Sequence, residues 1–252
     1  MKMPRLTDST QISQAIGGTN YNFSGAKIDT LGASEYTLGV IVLDVSGSTA
    51  GMRPEMEKAL KAIVAACRKN PRADNMMLRV VMFDDNVVEI HGFKPLPDCA
   101  EADYDGCLGR GGGTTALYDG CFTSVQSALQ YGEMLTQQDF DVNAAVFVVT
   151  DGCEYPRGNS TATPKMVKDA LESGVREEKL ESVVSVLVGL NARGHLDQQL
   201  AAVKDECGFT QYVAIADATA QKIAQLGDFV SRSFSSQSQA LGTGGGSQSL
   251  SF

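Results

Sequence analysis

The chain has 252 residues, 43% of them hydrophobic and 20% charged, with a formal net charge of -9. These proportions are those of an ordinary soluble globular protein, without the charge excess of a disordered chain, and the length admits one large domain or two small ones. The acidic balance argues against nucleic acid as the main partner, because phosphate binding needs a basic surface, and suits a protein that gathers cations or basic patches.

Residues 1–36 hold scattered glycines among polar residues without a sustained period, so they are expected to form an arm packed on the domain, with a short strand around Tyr21–Ile28. Met1 to Asn20 contains no apolar stretch of signal-peptide length, and no run of 18 apolar residues occurs anywhere. The expectation is a cytoplasmic or phage-particle-associated protein that does not engage a membrane. Six cysteines are scattered without a C-x-x-C pair. They are read as reduced structural thiols, and a Cys99–Cys107 bridge as the weaker alternative to two free thiols in a surface loop. With His91 and His195 the only histidines, a zinc site of Cys/His type is not expected.

From residue 37 a regular alternation begins. Thr37–Leu43 is a nearly continuous apolar run, as a strand buried on both faces should be. Arg53–Lys69 carries apolar residues at helical spacing. Met77–Phe83 reads as a strand, and Asp85-Asn86 as a turn into Val87–Ile90, giving a hairpin edge. A loop rich in Gly, Pro and Asp is expected over 91–113, then a helix over Ala116–Leu135. Strands follow at Ala144–Val149, Val183–Leu190 and Thr210–Ala214, with helices at Pro164–Val175, Leu196–Cys207 and Thr219–Ser233. Strands alternating with helices imply crossover connections and a mostly parallel central sheet flanked by helices. The expected architecture is a doubly wound α/β domain over 37–234. The Ser/Gly/Gln-rich segment 235–252 is expected to be a flexible tail.

Ligands in such sheets bind at the carboxyl ends of the strands, where strand order reverses. Three separated segments place hard oxygen ligands there: Asp44-Val45-Ser46-Gly47-Ser48, Gly111–Gly120 with Thr114 and Thr115, and Thr150-Asp151-Gly152. Magnesium takes about six oxygens at ~2.0–2.1 Å and usually keeps several waters. Ser46 and Ser48 alternate along a turn and can face one ion, Asp44 and Asp151 supply compensating charge, and Thr115 adds a third hydroxyl. Mainly neutral ligands keep such an ion electrophilic, so a partner's carboxylate can complete its shell. The simpler alternatives are local: Ser48 or Thr115 as helix caps, Asp151 as a turn residue, Asp84 and Asp85 as turn residues, Asp119 and Glu154 as solvated carboxylates. Cys153 is expected to be inert and His195 to be a loop residue.

D-x-S-x-S (Asp44, Ser46, Ser48), G-x-T-x-x-x-x-G (Gly113, Thr115, Gly120) and T-D-G (Thr150, Asp151, Gly152) together resemble the metal-ion-dependent adhesion site of von Willebrand factor A (vWA) and integrin I domains. The glycine five residues on aligns Thr115, with Thr114 the alternative. The stretch Phe229–Ser238 is similar to the intracellular bacterial and phage branch that includes TerY-type and YegL-type proteins. The resemblance implies a vWA/Rossmann-like fold, Mg2+ (or Mn2+ or Ca2+) at Asp44, Ser46, Ser48, Thr115 and Asp151, and a protein partner offering an Asp or Glu carboxylate. It also implies complexes with AAA+ ATPases or other assembly machinery, and no catalysis.

Two other functions compete with this reading. A structural subunit of a phage particle or other assembly would use the terminal segments as arms. An enzyme finds little support: a phosphatase needs a second carboxylate where Ser46 stands, no G-x-S-x-G elbow surrounds the serines, and Gly111–Thr115 lacks the lysine of a phosphate loop.

Overall fold

A computed structural model describes residues 10–154, 160–177, 179–246 and 249–252. Its elements are β1 (Gln11–Ala15), β2 (Asn22–Ala26), β3 (Glu35–Asp44), α1 (Arg53–Arg68), β4 (Met76–Phe83), β5 (Val87–Pro95), α2 (Leu117–Thr136) and β6 (Asp141–Thr150), then α3 (Pro164–Arg176), β7 (Ser182–Leu190), α4 (His195–Cys207), β8 (Gln211–Ile215) and α5 (Ala220–Thr243). They form one eight-stranded sheet in the order β1-β2-β5-β4-β3-β6-β7-β8. The five strands from β4 to β8 across the centre are parallel, β5 runs antiparallel to β4, and β1 runs antiparallel to β2. This is the doubly wound, mostly parallel α/β architecture expected from the alternation.

Burial explains the apolar runs. Leu38, Val40 and Val42 of β3 join one core layer with residues of α2, α3 and α4. Ile41 and Leu43, between and after them, join the other layer with α1 and α5. A strand covered on both faces has no position for a polar alternate. Gly39 has no side chain because Phe234 of α5 lies over it; a Cβ there would stand 2.6 Å from the ring.

The chain leaves β3 for β4 on one side and later returns to β6 on the other. Strand order therefore reverses between the carboxyl ends of β3 and β6, where Asp44 and Thr150 are the last strand residues.

Three differences from the sequence expectations have physical causes. β1 is polar and exposed, so no apolar period marks it; it is held by its ladder to β2. The segment 91–113, expected to be loop, begins with the continuation of β5 to Pro95, which pairs with Met77, and includes short 3-10 turns at Leu96–Asp98 and Glu101–Tyr104. Gly92 permits that continuation, since any Cβ there would collide with Ser24 of β2. Helix α5 runs on to Thr243, into the segment read as a flexible tail. Its added turns are anchored by polar contacts that hydropathy does not reveal: Asn143 Nδ2 donates to the Gln237 carbonyl (2.9 Å) and Arg72 Nε to Ser238 Oγ (3.1 Å). All six cysteines are free, Cys99 and Cys107 included, which agrees with the reading of reduced thiols. No described helix is long and apolar enough to cross a membrane.

Candidate metal centre

The three segments converge at the strand-order reversal. Asp44 is fully buried; its Oδ1 accepts from the Ser46 backbone N–H (2.8 Å) and its Oδ2 from the Thr150 hydroxyl (2.6 Å). Ser46 is buried, and its Oγ lies 3.3 Å from Ser48 Oγ. Ser48 is exposed and donates to Asp151 Oδ1 at 2.6 Å, across 103 residues of sequence. Ser48 is therefore no helix cap: a 3-10 turn over Gly47–Gly51 separates it from α1, and Met52 occupies the cap position.

Thr115 closes the set. Its Oγ1 would be 4.0 Å from a Cβ on Gly152, so it faces the T-D-G turn, and it makes no hydrogen bond among the described residues. It is not the cap of α2 either, since Ala116 holds that position. Thr114 is engaged elsewhere: its backbone N–H donates to Asp85 Oδ1 (2.9 Å) and its hydroxyl donates to the same oxygen. That contact separates the two threonines, and gives Asp85 a role beyond the turn. Gly113 adopts a φ of +75°, left-handed backbone that favours glycine, and its carbonyl accepts from Gly47 N–H (3.4 Å).

Burial pushes the carboxyls of both Asp44 and Asp151 above the usual aspartate range. Hydrogen bonds from Ser46 and Thr150 partly offset this at Asp44, while the nearby Asp151 charge adds to it; Ser48 partly offsets it at Asp151. A buried and a half-buried carboxyl whose charges disfavour one another would gain from a cation nearby. The donors are all hard oxygens, hydroxyl and carboxylate, of the kind a magnesium, manganese or calcium ion takes, and among the described residues the Thr115 hydroxyl has no hydrogen-bond partner. The residues present fit such an ion.

Residues not singled out in the sequence frame the site. Arg53, at the start of α1, donates through Nη2 to the Val45 (2.5 Å) and Ser46 (2.8 Å) carbonyls and through Nη1 to the Gly111 carbonyl (3.4 Å). It thereby ties the D-x-S-x-S turn to the glycine loop. No spacing rule marks such a contact, because its acceptors are backbone atoms of unrelated residue types. Asp119 and Glu154 were expected to be solvated, and here the structure differs. Asp119 is 3% exposed and accepts from Thr161 N–H (2.9 Å) and Ala162 N–H (2.8 Å). Glu154 accepts from Tyr118 N–H (3.1 Å) and from Ser160 N–H (3.2 Å) and hydroxyl (2.8 Å). Their donors are unpaired backbone groups of a helix start and a loop, which draw carboxylates inward. Cys153 packs against the core layer shared with α2, and burial raises its thiol pKa, which disfavours the thiolate.

No protein-family model matches the chain, and no curated protein matches it significantly. Among solved structures, the PilB minor pilin of Streptococcus sanguinis aligns over 88% of this chain and 66% of its own, at 14% identity and TM-score 0.57. The pilus adhesin SpaC of Lactobacillus rhamnosus GG aligns over 94% and 36%, at 10% identity and TM-score 0.56. Proximal thread matrix protein 1 from the mussel byssus, in a form described as having a zinc-occupied MIDAS motif, aligns over 81% and 47%, at 20% identity and TM-score 0.50. The chain thus spans less than two thirds of each of these structures. At such identities the likeness shows the shared fold, doubly wound α/β of the vWA/Rossmann-like kind.

Proposed function

We propose that this vWA-like chain is a divalent-cation-dependent protein-interaction module, with the ion held by Asp44, Ser46, Ser48, Thr115 and Asp151 and the partner offering an Asp or Glu carboxylate. The observation that carries the reading is the Ser48–Asp151 hydrogen bond, which joins oxygen ligands from two strand ends at the reversal point, with the Thr115 hydroxyl, which has no partner among the described residues, facing the adjoining Gly152. When bound, the cation supplies an electrophilic position that a partner's carboxylate can occupy. The protein's own contribution is preorganisation: Thr150 and the Ser46 N–H orient Asp44, and Arg53 fixes the loop that carries Ser46. Magnesium is the expected ion, with manganese and calcium the alternatives. The zinc described for the mussel protein's site supports a divalent cation here without choosing among them.

The chain is read as a binding module rather than an enzyme. His195, the residue that would be the general base of an enzyme, stands exposed at the start of α4, and His91 is engaged with Tyr104 and the Gly92 carbonyl. The likeness to a minor pilin, a pilus adhesin and a thread matrix protein favours a second reading, in which the same contact serves assembly of a larger structure. Six free thiols suit a reducing compartment, which supports a cytoplasmic setting.

The test is an affinity pull-down with magnesium and with EDTA, bound proteins being identified by mass spectrometry; AAA+ ATPases and other assembly machinery are the partner classes to look for. Capture should be lost with EDTA and in Asp44→Ala and Thr115→Ala, both variants keeping the native circular dichroism spectrum. Capture that survives chelation and both substitutions would overturn the cation mechanism. Thr114→Ala should retain capture, since that hydroxyl is spent on Asp85.

A further inference from the structure

Helix α2 begins immediately after Thr115, and its start is poorly provided for locally. The first turn of a helix leaves backbone N–H groups without intrahelical acceptors, and a Ser, Thr, Asp or Asn side chain at the cap position normally takes one of them. Here the cap is Ala116, which has no such atom. The acceptors come instead from the segment that follows Asp151. Glu154 Oε2 accepts from Tyr118 N–H (3.1 Å), and Ser160 Oγ accepts from Asp119 N–H (3.1 Å). Ser160 in turn donates its hydroxyl proton to Glu154 Oε2 (2.8 Å) and its backbone N–H to Oε1 (3.2 Å), so both glutamate oxygens are used. A carboxylate at a helix N-terminus also meets the favourable end of the helix dipole. Asp119 completes the clasp from the helix side by accepting from Thr161 and Ala162.

We infer that Glu154 is a positioning residue of the cation site: by capping α2 from the loop after Asp151, it sets the Thr115 hydroxyl against the Asp151 carboxylate. The inference rests on the cation reading proposed above. It adds that two of the five ligands come from segments 36 residues apart whose relative placement depends on a side chain that touches no ion. Thr115 is one residue ahead of the cap, and Asp151 is three residues ahead of Glu154, so a shift of the clasp moves both ligands. Asp44 and Ser46 do not depend on it, since Thr150 and Arg53 hold them, whereas Ser48 follows Asp151, to which its hydroxyl donates.

The test is a titration of the full chain with Mn2+, followed by electron paramagnetic resonance and repeated in competition with Mg2+, beside melting curves with and without cation. Glu154→Ala should weaken cation binding about ten-fold or more, the usual loss when a residue orienting metal ligands is removed. Glu154→Gln should recover part of it, because one amide oxygen can still accept from Tyr118 while the NH2 group opposes the Ser160 N–H. Ser160→Ala, which leaves Glu154 in place, should show a smaller loss; it keeps the test decisive if Glu154→Ala does not fold. Unchanged affinity in Glu154→Ala, or in Ser160→Ala where only that variant folds, would overturn the inference. So would a fall in melting temperature equal with and without cation and no change in affinity, which would mark a structural role only. If the wild-type chain binds no Mn2+, the cation reading itself fails and the positioning role with it. Wild-type binding that Glu154→Ala leaves intact sinks the positioning role alone.

Discussion

Histidine 91 shows how one side chain's surroundings decide its protonation. Its Nδ1 lies 2.8 Å from the Gly92 carbonyl, an acceptor, so that nitrogen carries the proton; Nε2 lies 2.8 Å from the hydroxyl of fully buried Tyr104. The neutral ring satisfies both contacts, with Tyr104 donating. Burial lowers the His91 pKa below its ordinary value; Lys94 adds to this, while the Gly92 bond and the Glu89 and Asp103 charges oppose it. The unfolded chain therefore binds a proton at higher pH than the folded one, and His91 contributes stability that is present above about pH 6.5 and lost as pH falls toward the folded value. Melting temperature is expected to fall between pH 7 and pH 5, and His91→Gln should flatten that slope. An equal slope in both proteins would contradict the assignment. Neither Tyr104 nor Gly92 could be paired with His91 from the sequence, because the contact spans the turns that follow β5.

Among the elements, the N-terminal hairpin of β1 and β2 depends most on side chains. Its ladder to β5 is a single bridge, Gly25 to Phe93. Glu89 of β5 supplements it, accepting from Ser24 N–H (3.1 Å) and from the Ser24 hydroxyl (2.5 Å), and it also binds Arg79 Nε (2.7 Å). Arg79 is 1% exposed and donates through Nη1 to Ser127 of α2 (3.1 Å). Glu89→Ala would strand that guanidinium in the core, so it is expected to cost about 3–5 kcal/mol. Chemical denaturation measures the loss, and Arg79→Met combined with Glu89→Leu should recover most of it. A loss below about 1 kcal/mol in Glu89→Ala would mean that water or another group reaches Arg79. The hydrophobic period located β4 and β5, but an arginine in the middle of β4 gave no sign that it was buried. Only the neighbouring strand and helix supply its partners.

For the molecule as a whole, the candidate site lies where no single element could build it. Ligand binding to the folded state alone stabilises it by mass action, about 2.7 kcal/mol at one hundred times Kd. In a chain of this size that corresponds to a rise in melting temperature of roughly 5–10 °C. Magnesium is expected to produce such a rise in the wild-type chain and none in Asp44→Ala, as read by differential scanning calorimetry. A rise of the same size in both would place the cation elsewhere. The net charge of -9 adds a nonspecific attraction for cations, which Asp44→Ala leaves almost unchanged and so controls for.

The sequence alone determined the alternation of apolar strands and amphipathic helices, and with it the doubly wound sheet. Continuous apolar runs such as Thr37–Leu43 have only one stable setting, between two covered faces. It also placed Asp44, Ser46, Ser48, Thr115 and Asp151 at strand ends and a loop, because a short motif is a local property of the chain. Tertiary structure alone decided that these segments meet. It also showed that Thr114 is taken by Asp85, and that Arg53, Asp119 and Glu154 hold the frame. These last contacts join side chains to backbone groups far along the chain, and backbone groups look alike at every position of a sequence. For the same reason no local signal marks the polar turns of α5 beyond Ser233: their anchors, Asn143 and Arg72, lie elsewhere in the chain.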